Sequence, residues 1–275
     1  MSLRRNVLDS DTDLYAGLPV HPASDHHDQF DAVKYLNSFY KHYDSDPAMH
    51  RLIMFMPCVL SRIHPRENGD PLRTFLDVGC GPCVALAMYF QTIVEEIYLA
   101  DYALDCREEL VRWSRNESGF DWKSVGEIIY RHINWPGRPD HLKIQEETRN
   151  KVKSILNCDV NIATVLLDAP SAIPTKFDIV NTSYCLEAAT ESVDQYRDAF
   201  ANVARLVAPG GYLVIASVCS SDYYVFDKKR FRLVCVDETE IRRCYEMNEF
   251  DMNDIMIRRK GDICIAVCRK LENDL

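Results

Sequence analysis

The stretch Phe75-Leu76-Asp77-Val78-Gly79-Cys80-Gly81-Pro82 decides the fold of this 275-residue chain. Thr74 to Val78 is a short apolar run, closed by two glycines just before a helical pattern over Val84 to Val94. A strand, a glycine turn and a helix in that order open a strand–helix–strand unit. Sheets built from such units bind ligands at the carboxyl ends of their strands. Glycines at that place let the backbone take tight dihedrals and let a ligand approach without meeting a Cβ. The next strand, Ile97 to Ala100, ends in Asp101, 24 residues after Asp77. That is the spacing at which such folds set a carboxylate against ribose hydroxyls. A charged hydrogen bond of this kind contributes about 1.5–3 kcal/mol.

Two other readings fit the same turn. A dinucleotide-binding dehydrogenase would carry G-x-G-x-x-G, but Val84 holds the last position and Pro82 sits inside the turn. A dithiol redox centre would use Cys80-Gly81-Pro82-Cys83 at a helix start, where the helix dipole lowers a thiol pKa. The redox reading leaves Asp77 and Asp101 without a role.

Beyond the turn the chain keeps alternating. Leu104 to Trp113 reads as a helix, 115 to 150 as helical insertions or loop, and Val152 to Val160 as a strand ending in Asp159. A carboxylate at Asp159 either accepts a hydrogen bond from an adenine amino group or is simply a solvated strand end. Phe177 to Asn181 is a strand, Asp194 to Val207 a helix, and Ala208-Pro209-Gly210-Gly211 a tight turn into the strand Tyr212 to Val218. A helix over Glu238 to Met247 and strands near Asp251 to Arg258 and Ile263 to Cys268 complete the pattern. Alternation of this kind predicts a doubly wound α/β fold, a mostly parallel sheet with helices on both faces. Upstream, Phe30 to Tyr40 and Met49 to Ile63 have helical spacing. Residues 29–275 therefore read as one domain, a helical cap over 29–70 and a core over 71–275. Residues 1–28 are polar and aperiodic and read as a flexible arm. His21, His26 and His27 fall within it and belong to that arm rather than to a metal site.

Composition bounds the partners. The net charge of −10 would repel a phosphate backbone or an anionic membrane. The longest apolar stretch, Tyr212 to Cys219, is too short to span a bilayer. The eleven cysteines are odd in number and scattered, the usage of reduced thiols in a cytoplasmic protein. No apolar stretch follows Arg4-Arg5, so the start is not read as a signal peptide.

Several further pieces carry a resemblance: Ala100-Asp101-Tyr102, Phe120-Asp121-Trp122, Cys158-Asp159-Val160, Cys185-Leu186-Glu187-Ala188-Ala189, Pro209-Gly210-Gly211 and Ser221-Asp222-Tyr223-Tyr224. With the cap and the glycine turn, they resemble the nicotinamide, phenylethanolamine and indolethylamine N-methyltransferases, a family that includes a thioether S-methyltransferase. The resemblance runs from about residue 30 to the end. It implies a class I fold with a seven-stranded sheet, working as a monomer. It also implies S-adenosylmethionine as cofactor and a small-molecule methyl acceptor, an amine or a pyridine-type nitrogen. The other readings are a thioether or thiol S-methyltransferase and a non-catalytic adenosine-binding protein of the same fold.

The same resemblance assigns roles. Tyr35 and Tyr40 would close over the cofactor from the cap, Tyr35 also reaching the acceptor. Gly79, Cys80 and Cys83 would line the methionine part, Tyr40 would lie towards its carboxylate end, and Asp77, Gly81 and Cys106 would also bind the cofactor. Asp101 would hold the ribose, Tyr102, Asp159 and Val160 the adenine, and Ser183 the region of the methyl group. Tyr184, Glu187, Ser217, Ser221 and Tyr224 would face the acceptor, with Glu187 as the catalytic carboxylate that binds an ammonium and helps remove its proton. The nicotinamide branch has an aspartate where Ser217 stands and a serine where Leu233 stands. Glu187 matches the phenylethanolamine branch, whose second acid is replaced here by Ser221. Ala85 and Cys106 replace a tyrosine and an asparagine near the cofactor.

Overall fold

A computed structural model of the chain describes residues 17–22, 25, 30–42, 46–65, 69–133 and 140–272. The chain opens with β1 (Val20–His21), α1 (Ala32–Phe39), α2 (Pro47–Leu60), β2 (Thr74–Val78), α3 (Ala85–Phe90) and β3 (Glu96–Asp101). There follow α4 (Leu104–Ser114), α5 (Lys123–His132), α6 (His141–Lys151), β4 (Val152–Cys158), β5 (Leu166–Leu167) and β6 (Phe177–Ser183). The last part holds α7 (Leu186–Ala189), α8 (Val193–Ala204), β7 (Val207–Val218), β8 (Tyr223–Phe226), β9 (Lys229–Arg232), α9 (Glu238–Glu246), β10 (Met256–Lys260) and β11 (Ile263–Arg269).

Eight strands form the main sheet in the order β10-β11-β7-β6-β2-β3-β4-β5. The run from β7 to β4 is parallel, and β11, β10 and the short β5 join antiparallel. This is the expected doubly wound sheet, with the two-residue β5 as an eighth strand at one edge. The chain starts at β2, moves outward to β3 and β4, then returns to β6 on the other side of β2. That reversal opens a crevice at the carboxyl ends of β2 and β6, the place where such sheets take ligands.

Period-two alternation sends successive apolar residues of the central strands into two separate cores. Phe75, Ile179 and Val214 enter the core beneath the cap and α3, while Leu76, Val180 and Leu213 enter the core beneath α8 and α9. All six are fully buried. Truncating one such side chain to alanine costs about 2–5 kcal/mol.

Capping residues set the helix starts. Asp31 accepts from the Lys34 amide and starts α1 at Ala32, two residues later than the bare periodicity suggests. Asp46 accepts from the Ala48 and Met49 amides, so α2 begins at Pro47 rather than Met49. The stretch from 115 to 150 holds two helices, α5 and α6.

Two expectations are corrected. Ala208 to Gly211 is not a turn between helix and strand but a bulge within β7, where pairing jumps from Phe177–Val207 to Ile179–Tyr212. Gly210 there has a φ of 70°, and a Cβ on Gly211 would stand 2.5 Å from the Asp178 carbonyl oxygen. The backbones approach too closely for a side chain. The second concerns the arm: Val20–His21 is a strand, paired in parallel with Arg230–Phe231. His21 also pairs with Asp25 at 2.8 Å. The flexibility read for residues 1–16, 23–24 and 26–28, His26 and His27 included, falls outside the described residues.

The small sheet β1-β9-β8 was not legible as such. Its hairpin turns at Asp227 and Lys228, both left-handed (φ 50° and 59°), as a two-residue turn with the twist of the flanking strands requires. No described helix is long and apolar enough to cross a membrane.

Candidate active site

The carboxyl ends of β2, β3, β4 and β6 open into one cavity of about 650 Å³, roofed by α1, α2 and the β8–β9 hairpin. Its floor begins with the glycine turn. Gly79 and Cys80 donate their amides to the Ala100 carbonyl oxygen at 2.8 and 3.1 Å, which folds the turn back against β3. Gly79 has a φ of 65°, and a Cβ there would lie 2.7 Å from the Cys185 Cβ and closer still to its sulfur. Gly81 is also left-handed (φ 61°), but a Cβ on it would meet nothing within 4 Å. The turn therefore closes on Cys185 at one glycine and is open at the other.

Asp101, at the end of β3, accepts from the Gly81 amide at 2.7 Å through Oδ2 and from the Ala103 amide at 2.9 Å through Oδ1. Burial raises its pKa, and the two amides pull it back. Asp77 is 2% exposed, and its Oδ1 accepts from the Asn181 side chain at 2.6 Å. Burial pushes it up to about 7, against the Asn181 bond and with help from the Asp101 charge. Asp159 follows β4, and its Oδ1 takes the Asn161 amide at 2.9 Å. Val160 beside it is buried and Tyr102 is 39% exposed.

The thiols do not resemble a redox centre. Burial holds Cys80 and Cys106 well above the usual thiol range and pushes Cys83 up to about 12. A nucleophilic dithiol needs the opposite shift.

Glu187 lies in the first turn of α7, fully buried. Its Oε1 accepts from the Val218 amide at 2.7 Å, and its backbone carbonyl accepts from Val234 at 2.7 Å. Its Oε2 has no hydrogen-bond partner among the described residues. Burial pushes the carboxyl up to about 7, and the Val218 amide and the Ser217 hydroxyl pull it back. The cavity that holds this carboxylate is also lined by Met49, Leu52, Val218 and Leu233. The cap closes over it with aromatic rings: Tyr35 stands 4.9 Å from Phe30, 4.7 Å from Phe39 and 5.5 Å from Phe226, centroid to centroid. Tyr40 packs 5.8 Å from Trp122, and its hydroxyl pairs with the Cys83 thiol.

The structure brings together Tyr35, Tyr40, Asp77, Gly79, Cys80, Gly81, Cys83, Asp101, Tyr102, Cys106, Asp159, Val160, Ser183, Tyr184, Glu187 and Tyr224 around this one cavity. Ser217 and Ser221 do not line it. The alternation of β7 after its bulge turns Ser217 towards α8, where its hydroxyl sits 3.4 Å from that of Tyr196 and also bonds the Glu187 carboxyl from outside the cavity. Ser221 donates to the Tyr223 carbonyl at 2.9 Å and shapes the turn into β8. Phe30, Met49, Leu52 and Cys185 are lining residues that spacing does not reveal. Nor does it reveal Asn181, one of four polar residues in Phe177–Ser183.

Six acids line the cavity (Asp77, Asp101, Asp159, Glu187, Glu191 and Asp198), and among the described residues no lysine, arginine or histidine does. Such a site favours a cationic ligand. No group of three or more metal-ligating side chains occurs among the described residues.

Comparison with known proteins gives the same direction. The model of the NNMT/PNMT/TEMT family matches residues 19–270. The nicotinamide N-methyltransferase of Caenorhabditis elegans is 33% identical over 217 residues, 76% of this chain and 77% of that protein. The indolethylamine N-methyltransferase of Oryctolagus cuniculus is 27% identical over 252 residues, 86% of this chain and 91% of that protein. Among solved structures, magnesium protoporphyrin IX methyltransferase from Synechocystis PCC 6803 aligns over 90% of this chain and 96% of that one, with a TM-score of 0.51 at 11% identity. That last likeness is one of fold. With the family model spanning nearly all of the core and cap, the chain belongs to the NNMT/PNMT/TEMT family.

Proposed function

We propose that this protein transfers a methyl group from S-adenosylmethionine to the nitrogen of a small-molecule amine. The observation that carries the reading is a single cavity joining the glycine–acid cradle of β2 and β3 to a buried carboxylate with one unpartnered oxygen. The relatives are N-methyltransferases by name.

The residues present fit the cofactor. The cradle is open where a Cβ on Gly81 would point, and each Asp101 oxygen has one amide partner shown, leaving lone pairs for hydroxyls. The acidic lining suits a positively charged ligand. In this reading Gly79, Cys80 and Cys83 border its methionine part, Tyr40 its carboxylate end, Asp101 its ribose, and Tyr102, Asp159 and Val160 its adenine, with Ser183 near the methyl and Asp77, Gly81 and Cys106 also bordering the cofactor. S-adenosylmethionine supplies an activated methyl on a sulfonium sulfur.

The work left to the chain is to align the acceptor and exclude water, which can supply about 7–11 kcal/mol. Tyr35, Phe39, Tyr224, Met49 and Leu52 exclude water. An ammonium has no lone pair with which to attack. Glu187 receives it at Oε2, and a carboxyl poised near 7 is matched to removing its proton at neutral pH. A thioether brings no proton and would leave Glu187 without a task, so the amine reading is favoured. The eleven free cysteines suit a reducing, cytoplasmic setting, and we place the enzyme there as a monomer.

Calorimetry with S-adenosylmethionine and S-adenosylhomocysteine, on wild type and Asp101→Ala, tests the cofactor. Micromolar binding lost in the variant is expected, followed by turnover in a screen of amines, pyridines and thioethers. No binding of either compound to wild type would overturn the enzyme reading in favour of a scaffold without chemistry.

A further inference from the structure

Tyr184 follows β6 directly and lines the cavity between Ser183 and Glu187. Its φ of 57° is left-handed, a region where Cβ crowds the next carbonyl and glycine is the easy choice. Strain of this kind persists only where the surroundings over-determine it, and it gathers at functional sites. Two bonds hold the residue there. Its amide donates to the Ala216 carbonyl at 2.7 Å, and its hydroxyl donates to the Ala48 carbonyl at 2.9 Å. Burial keeps the phenol protonated and so a donor.

The second bond crosses from the sheet to the first turn of the cap helix α2. Ala48 immediately precedes Met49 and stands one turn before Leu52, and both of those line the cavity. Glu187 comes three residues after Tyr184. The bond therefore joins the two segments that bound the acceptor end, one carrying an apolar wall and the other the carboxylate. The Tyr89 hydroxyl holds α2 one turn further on, at the Ile53 carbonyl (2.8 Å), and leaves the Ala48 turn to Tyr184.

We propose that the Tyr184 hydroxyl is a positioning strut. Through Ala48 it sets how far Met49 and Leu52 stand from Glu187, and so the length of amine that the acceptor end admits. This rests on the amine reading above.

Tyr184→Phe keeps the ring and removes the strut. The variant and wild type are compared by amide hydrogen exchange with S-adenosylhomocysteine bound, and by steady-state turnover of benzylamine and 4-phenylbutylamine. Exchange in residues 47–60 rises about fivefold, the factor expected for one hydrogen bond, while β6 and β7 keep their protection. The preference for the shorter amine, as a ratio of kcat/KM values, falls about fivefold through KM, with cofactor affinity unchanged. Unchanged exchange in α2, or faster exchange with an unchanged preference, overturns the proposal. If wild type methylates neither amine the reaction reading fails, and exchange alone decides the strut: a rise confined to α2 upholds it and equal exchange ends it.

Discussion

Replacing Glu187 by glutamine separates the charge of the buried carboxylate from its shape, because an oxygen remains to accept from the Val218 amide. Burial pushes this carboxyl from 4.5 up to about 7. Between those two pH values the folded protein holds a proton that the unfolded chain has released. A carboxyl raised by folding contributes stability at low pH and loses it as pH climbs through that window. At about 1.4 kcal/mol per pH unit, the loss amounts to roughly 3 kcal/mol by pH 8. Glutamine does not titrate. The stability of Glu187→Gln relative to wild type therefore grows by about 2.5 kcal/mol between pH 5 and pH 8, measured by urea denaturation without ligand. The same substitution lowers kcat/KM for an amine by about 10²–10⁴-fold. A pyridine-type acceptor has no proton to surrender and loses less, and Glu187→Ala shows the same split. In wild type, kcat/KM for the amine rises with pH through about 7 as the carboxyl ionises. Stability curves that run parallel across this range, or equal losses on amine and pyridine, would refute the assignment.

The two glycines of the β2–α3 turn should behave differently. Gly79→Ala drives a Cβ into Cys185 and lowers affinity for S-adenosylhomocysteine at least tenfold in calorimetry. Gly81→Ala meets no atom within 4 Å and loses only about 1–2 kcal/mol of stability to its left-handed backbone, read by denaturant unfolding. The double substitution Cys80→Ser with Cys83→Ser retains most methyl transfer, since burial keeps both thiols protonated. A loss of more than a hundredfold in kcat with cofactor affinity intact would restore the dithiol reading.

The signals legible in the sequence were those in which neighbouring residues decide their own conformation. Phe75, Leu76 and Val78 point to both faces of the sheet and are all apolar because a central parallel strand is covered on both sides, and the strand's bounds follow. Gly79 and Gly81 mark left-handed backbone, and Asp101 falls at the next strand end. The order of strand, helix and strand then predicts the sheet, and the motifs from Phe30 onward predict the family. Facing, burial and pairing were decided elsewhere. Asn181 meets Asp77 across 104 positions of sequence, and nothing local in either residue announces it. Ser217 faces α8 because a bulge at Ala208 to Gly211 sets the register of β7, and in a strand one residue of register exchanges the two faces. Val20–His21 became a strand only because β9 offered it an edge. Glu187 is an ordinary glutamate in the sequence. Its free oxygen and raised pKa exist because α7, β7 and the segment after β9 surround it and take it out of water. Chain-local preferences are written in neighbouring residues, whereas solvation and partnership belong to groups that only the folded chain brings together.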